Sequence, residues 1–480
     1  MSGASFDGLW AGARGRPGRY NPFGSEGLSF EEAKMERIGG EDTGMPTSIR
    51  KVVVASFIGT TIEWYDYFIF VTAASLIFPD VFFPGFGETT GTILSYTTFA
   101  VGFVARPVGG VIFGHYGDRI GRKAMLVTTL LIMGIATFLV GCLPGYEAIG
   151  VLAPILLVAL RLFQGLGLGG EWGGAVLMAV EHSPERSRGL NASWPQMGVP
   201  AGLVLGTGAF ALISSLSGDA LLTWGWRVPF LLSVILIAVG LFVRLSIYES
   251  PAFSQVRESG TEARMPIVDV LRTYPKNVAI GVGSRIGIDA AFYIIAFYSL
   301  DHIATNLGLS ENLGLIGVTI AALIEILTIP LFASLSDRVG RKPLLIASSA
   351  FLGVWVFPFF WLLNTKSTAL IVVAIVIGLA LGHAAVYGVQ ASFYAELFGT
   401  RVRYSGASFS YQISGIFGGA LAPIIATALY PVGGTLLISV YIAAVCALSV
   451  VCYALAAETY RKDIYEEEPA ERRLVAEQQG

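Results

Sequence analysis

Twelve stretches of about 20 or more mostly apolar residues decide what this chain can fold into. They run over 52–78, 92–115, 124–143, 149–179, 193–216, 228–247, 277–305, 313–335, 343–363, 369–394, 405–430 and 435–457. A helix rises 1.5 Å per residue, so about 20 such residues cross the roughly 30 Å hydrocarbon core of a bilayer. Backbone N–H and C=O groups find no water there, so each stretch must bond within itself as a helix. Composition agrees, with 54% hydrophobic and 14% charged residues and a mean hydropathy of +0.67, against about 25% charged in soluble domains. The expected fold is an all-α integral membrane protein of twelve transmembrane helices. The fourth and seventh stretches are long enough to tilt or to extend past the lipid.

Basic residues set the orientation. Alternate loops carry Arg50 and Lys51; Arg119, Arg122 and Lys123; Arg186 and Arg188; Arg257, Arg264, Arg272 and Lys276; Arg338, Arg341 and Lys342; Arg401 and Arg403. The opposite loops have only Arg227 and Lys366. The positive-inside rule then puts both termini in the cytoplasm of a multi-pass cell-membrane protein. Residues 1–48 are polar and Gly-rich, without an apolar run like a signal peptide, and are expected to be a disordered cytoplasmic tail. Residues 459–480 form a second, acidic tail. Cys142, Cys446 and Cys452 lie in apolar stretches without metal-ligand spacing and are expected to be small buried hydrophobes.

The chain repeats itself. Gly-His-Tyr-Gly-Asp-Arg-Ile-Gly-Arg-Lys follows the second stretch, and Ala-Ser-Leu-Ser-Asp-Arg-Val-Gly-Arg-Lys follows the eighth, with Asp118 and Asp337 219 residues apart. Glu181 precedes Arg188 by seven residues after the fourth stretch, as Glu396 precedes Arg403 after the tenth, at an offset of 215. Two such recurrences imply duplication, with six-helix halves at 49–247 and 277–458, a polar cytoplasmic linker at 248–276, and a substrate site near the midplane between them.

Gly114 to Lys123 resembles the signature G-x-x-x-D-R-x-G-R-K of the major facilitator superfamily; the second copy has Ala333 in place of the first glycine. Ile62-Glu63-Trp64-Tyr65-Asp66-Tyr67, Arg161-Leu162-Phe163-Gln164-Gly165, Gly169-Gly170-Glu171-Trp172-Gly173-Gly174, Trp224-Gly225-Trp226-Arg227-Val228-Pro229-Phe230 and Glu249-Ser250-Pro251-Ala252-Phe253 are similar to the metabolite:H⁺ symporter family within it, most of all to its shikimate-type organic-acid carriers. The resemblance implies the major facilitator fold, alternating access, a monomer, and a proton as coupling ion with no other cofactor. It also implies a cytoplasmic gate made of Asp118, Arg119, Arg122 and Lys123, their counterparts Asp337, Arg338 and Arg341, and the pairs Glu181 with Arg188 and Glu396 with Arg403.

Mechanism is read from ionisable groups inside the apolar stretches: Glu63, Asp66, Arg106, Arg161, Glu171, Arg285, Asp289, Glu325 and the imidazole of His383. An Asp or Arg at mid-helix costs about 2.5–3.5 kcal/mol to insert, so eight unpaired would cost on the order of 20 kcal/mol. They must face a cavity or one another. Glu63 and Asp66 are three apart, on one helix face. Two close carboxylates do not ionise together easily, so one is expected to hold a proton; both are candidate coupling groups, as are Glu325 and His383. Arg161, Gln164, Tyr65, Arg285, Asp289, Tyr293 and Arg106 are candidate substrate contacts, since fixed guanidinium forks suit a carboxylate. Arg285 and Asp289, four apart, satisfy each other on the alternative reading, and Glu325 on its own alternative partners Arg285. Trp224 and Trp226 read as interfacial anchors. Gly198, Gly202 and Gly206, and again Gly415 and Gly419, read as stripes for close helix packing.

Other classes lose ground. The chain has no HExxH, GxSxG or GxxxxGK[ST] motif, so neither an enzyme nor ATP-driven transport is expected. A net charge of −3, with basic residues in short loops and not on a long basic face, gives no footprint for nucleic acid. The expected partners are the lipid bilayer and a small-molecule substrate, a carboxylate first. A zwitterionic osmolyte such as proline or betaine is the alternative, against which the short, heptad-free C-terminal tail counts.

Overall fold

The computed structural model describes residues 47–85, 88–217, 221–245, 266–400, 402–461 and 464. The expected N-terminal tail, most of the linker and the end of the C-terminal tail lie outside the described residues. So do the side chains of Asp118 and Arg122.

Long helices replace the apolar stretches and extend most of them by a few residues. In the first half they are α1 (Thr47–Leu76), α2 (Glu88–Ile120), α3 (Arg122–Cys142), α4 (Leu152–Glu181), α5 (Arg188–Ser217) and α6 (Arg227–Leu245). In the second, α7 begins as Pro275–Tyr293 and runs on through wider π turns at Ile294–Tyr298 and His302–Asn306. Next come α8 (Glu311–Val339), α9 (Arg341–Asn364) and α10 (Thr368–Leu397), the last with a π turn at Ile377–His383. Then α11 (403–432) carries a π turn at Ile416–Ala420, and α12 (435–455) follows a break at Gly433 and Gly434.

Among the described residues, seven helices are long and apolar enough to cross a membrane by composition alone, and one of these, Arg403–Leu455, joins α11 and α12. The exceptions have physical reasons. Helix α1 carries Glu63 and Asp66, α2 carries Arg106 and Pro107, and α5 contains Pro195 and Pro200. Helix α6 is apolar over a shorter stretch, Arg227–Val243.

In the first half α1 packs along α5, α2 along α4, and α3 on α4 and α6; in the second α7 and α9 pack on α12, and α8 on α10. The halves meet where α5 lies against α8 and α10, and α2 and α4 against α11. A Cβ on Gly198 would lie 2.7 Å from Thr60 Cβ, and one on Gly202 2.6 Å from Trp64 Cβ. That stripe therefore sets how closely α5 approaches the helix bearing Glu63 and Asp66. The second stripe corrects the expectation at one position: a Cβ on Gly415 would meet open space, because Gly415 lines a cavity.

The repeated loop has a repeated backbone. Gly121 and Gly340 have φ of 123° and 99°, with extended ψ of 149° and 160°, a conformation essentially restricted to glycine. Each joins the end of one long helix to the start of the next. Two further expectations change. Trp224 is exposed, as an anchor should be, but Trp226 is fully buried among Phe78, Phe82 and Phe230. Cys142 is exposed and Cys452 half-buried, while Cys446 is buried as expected.

Candidate functional site

A cavity of about 40 Å³ lies between the halves, enough for a water or two but not for a metabolite. Thr60, Glu63, Trp64, Phe103, Arg106 and Trp172 line it from the first half, and Arg285, Asp289, Tyr293, His383, Tyr387 and Tyr411 from the second. Charged groups from both halves thus converge on one small space, and helices or side chains must move before a substrate fits.

The wall from the second half is a paired network. Arg285 Nη2 lies 2.9 Å from Asp289 Oδ1, and its Nη1 donates to Gln390 Oε1 at 2.6 Å. Gln390 donates in turn to the Tyr453 hydroxyl at 3.0 Å. The Arg285 guanidinium sits 3.5 Å from the centre of the Tyr411 ring, which stacks on Trp172 of the first half at 3.6 Å. His383 Nδ1 meets Glu325 Oε1 at 2.5 Å, and its ring stacks on Tyr387. Glu325 therefore pairs with His383 and not with Arg285, since α8 presents it to α10.

The wall from the first half holds a second, smaller pocket lined by Asp66, Tyr67, Gly102, Arg106, Arg161 and Gln164 among others. Arg161 Nη1 donates to Gln164 Oε1 at 3.1 Å, and Gln164 donates to the Thr137 hydroxyl at 2.8 Å. Arg161 also lies over the Phe70 ring at 4.2 Å. Asp66 is 2% exposed, and its Oδ1 is buried without a hydrogen-bond partner. Glu63 and Asp66 were expected to act as one close pair. They line different pockets instead, Glu63 the central cavity and Asp66 the smaller one. Tyr65 is not a cavity residue: its hydroxyl donates to Pro229 O at 2.9 Å, on α6. Tyr67, two positions on and so on the other side of the helix, reaches the Tyr293 hydroxyl at 3.2 Å across the halves. Glu171 accepts from the Thr129 hydroxyl at 2.8 Å inside the first half.

On the face bearing the repeated loops, buried ion pairs cross between halves. Arg403 Nη1 lies 2.9 Å from Glu181 Oε1, and Arg188 Nη1 lies 3.4 Å from Glu396 Oε1. Arg341 pairs with Asp337 at 2.7 Å and with Glu396 at 3.4 Å. The Asp337 carboxylate also accepts from the backbone N–H of Gly189 and Leu190, at 2.8 and 2.9 Å, at the start of α5, where a helix favours an anion. This face is therefore closed. Of the other expected gate residues, Arg338 and Arg119 are exposed, Arg119 Nη1 lies 3.3 Å from His115 Nε2 of its own helix, and Lys123 donates to Leu245 O. Other members were not anticipated: the Thr459 hydroxyl donates to Glu396 at 2.7 Å, and Glu458 accepts from the backbone of Arg341 and Lys342. A polar pair just beyond the last apolar stretch was their only signal in the sequence. Gln390 and Tyr453 have the same kind of signal, as polar groups inside apolar stretches.

Comparison with known proteins agrees with this architecture. The sequence pattern described as Major Facilitator Superfamily matches residues 56–418 and 290–478. The chain is 40% identical over 423 residues to an inner membrane metabolite transport protein of Escherichia coli (strain K12), covering 87% of this chain and 96% of that one. It is 39% identical over 418 residues to the shikimate transporter of the same organism, covering 86% and 95%. Among solved structures, the proton:xylose symporter XylE superposes with a TM-score of 0.73 at 17% identity, over 89% of this chain and 99% of that one. At that identity the likeness shows the fold.

Proposed function

The chain belongs to the Major Facilitator Superfamily, a membrane transporter and not an enzyme, and from that premise we propose that it takes up a small organic acid together with a proton by alternating access. In this reading the halves at 49–247 and 277–458 rock about the central cavity, both termini are cytoplasmic, the protein works as a monomer in the cell membrane, and the proton is its only coupling partner.

One observation carries the reading. A fully buried carboxylate, Asp66, leaves one oxygen unpartnered in a pocket that shares Arg106 with the central cavity. Burying a charge without its full set of partners is costly, and a proton removes the cost. A group placed so takes a proton when the site is open to one side and releases it on the other. Glu63 and His383 on the cavity's edge, and Glu325 bonded to His383, are further candidates. The cross-half ion pairs hold the loop face shut while substrate and proton bind from the opposite face. The organic-acid class rests on the arginines of the site and on 39% identity with a shikimate transporter.

A zwitterionic osmolyte is the second reading, because Glu63 and Asp289 stand beside Trp64 and Trp172, and carboxylates with aromatic faces suit a quaternary ammonium group. Uptake of labelled shikimate into proteoliposomes decides between them. An acid exterior is expected to drive accumulation, with unlabelled shikimate competing and glycine betaine not. Equal uptake with the pH gradient collapsed overturns proton coupling; competition by betaine alone moves the substrate to the osmolytes.

A further inference from the structure

Three buried arginines border the site, and their donors are committed differently. Arg285 uses Nη2 on Asp289 and Nη1 on Gln390, so Nε is its one nitrogen without a hydrogen-bond partner. Arg161 spends Nη1 on Gln164. Arg106 is 7% exposed, and its Nε and Nη2 are both buried without a hydrogen-bond partner. These two nitrogens form one edge of the guanidinium, whose N–H bonds point side by side in the spacing of a carboxylate's two oxygens. The guanidinium carbon lies over the Phe103 ring at 4.1 Å and the Tyr67 ring at 4.8 Å, so rings hold the group while that edge has no partner. Glu63 and Asp289 line the same cavity, yet neither bonds to that edge.

We propose that Arg106 is the residue that takes the substrate's carboxylate, in a side-on bidentate contact, and that Arg161 and Arg285 shape the site as cations already held by the protein. The assignment rests on the organic-acid reading above and selects one arginine within it. It has a consequence for coupling. Arg106 also walls the pocket of Asp66, so a bound carboxylate and the Asp66 carboxylate compete for one guanidinium, and a substrate that wins leaves Asp66 to a proton. Anion and proton then cross together with no net charge.

The test uses full-length protein in proteoliposomes and compares two probes, shikimate and its carboxamide, as competitors of labelled shikimate exchange in the wild type and as ligands by direct binding in Arg106→Gln. The wild type is expected to prefer the carboxylate by roughly 10- to 100-fold, the worth of charge-assisted hydrogen bonds. Arg106→Gln is expected to bring the two probes near parity by weakening the carboxylate far more than the carboxamide, whose remaining binding shows an intact fold. Should Arg106→Gln not bind the carboxamide, Arg106→Lys retains the charge and loses the fork, and a preference reduced to about a tenth supports the assignment. A wild-type preference that persists in either variant overturns Arg106 and leaves the organic-acid reading standing. A wild type with no preference overturns the organic-acid reading itself.

Discussion

An aspartate buried with an oxygen unpartnered is expensive to keep, so Asp66 is where the transport cycle is most exposed to a single change. Asparagine has nearly the same shape and resembles the protonated acid. Asp66→Asn is therefore expected to abolish accumulation of shikimate against its gradient in proteoliposomes, while exchange of internal for external substrate continues. Accumulation at the wild-type level removes Asp66 from the coupling step. Tyr65 makes the opposite case. Its hydroxyl serves α6, so Tyr65→Phe is expected to lower stability by about 1 kcal/mol, seen as a small drop in Tm of the purified protein, with the KM for uptake unchanged. That Asp66 matters was legible in the sequence, because the insertion cost of a charge needs no coordinates. That Tyr67 and not Tyr65 faces the smaller pocket and Tyr293 was not, because it depends on the rotation of α1 against α5 and α6.

The same distinction holds for whole helices. The spacing of Gly198, Gly202 and Gly206 predicts a close seam, and α5 does lie along α1 through it. Gly415 and Gly419 have the same spacing, yet only Gly419 meets a neighbour, Tyr293, within 3 Å of a would-be Cβ. Gly202→Ala is expected to overpack the seam and cost about 1–3 kcal/mol, lowering Tm and moving the helix that bears Asp66. Gly415→Ala is expected to leave Tm unchanged, and an equal loss in both variants would mean that the seam is not the cause. The π turns of α7, α10 and α11 left no mark in the apolar pattern. A π turn adds one residue to a turn without changing which residues are apolar, and it tends to occur beside functional groups; here the turns adjoin Tyr293, His383 and Gly415.

Across the whole molecule, duplication was legible from two motifs at nearly one offset, but the partners of their charged groups were not. The second-half loop contributes Asp337, held by Arg341, to the cross-half lock at the start of α5. What a loop meets depends on how the halves dock, and the loop's own sequence carries no trace of that. The lock itself predicts a measurable shift. Glu396 accepts from Arg188, Arg341 and Thr459 with its side chain wholly buried. Removing one partner from a buried ion pair costs about 3–5 kcal/mol, and the part of that cost that belongs to the cross-half pair with Arg188 falls on the closed state, because opening returns Arg188 to water. A bias of about 3 kcal/mol moves a two-state equilibrium roughly 150-fold. Glu396→Gln is therefore expected to open the loop face. Gly415 lines the cavity with room for a side chain, so a cysteine substituted there, after Cys142, Cys446 and Cys452 are replaced, reports access. A membrane-impermeant thiol reagent applied from the loop face of oriented vesicles is expected to label it up to about 100-fold faster in Glu396→Gln than in the parent, and more slowly from the other face. Unchanged labelling from both faces would mean that the halves are held by the packing of α5 on α8 and of α2 on α11, with the ion pairs following rather than setting the conformation.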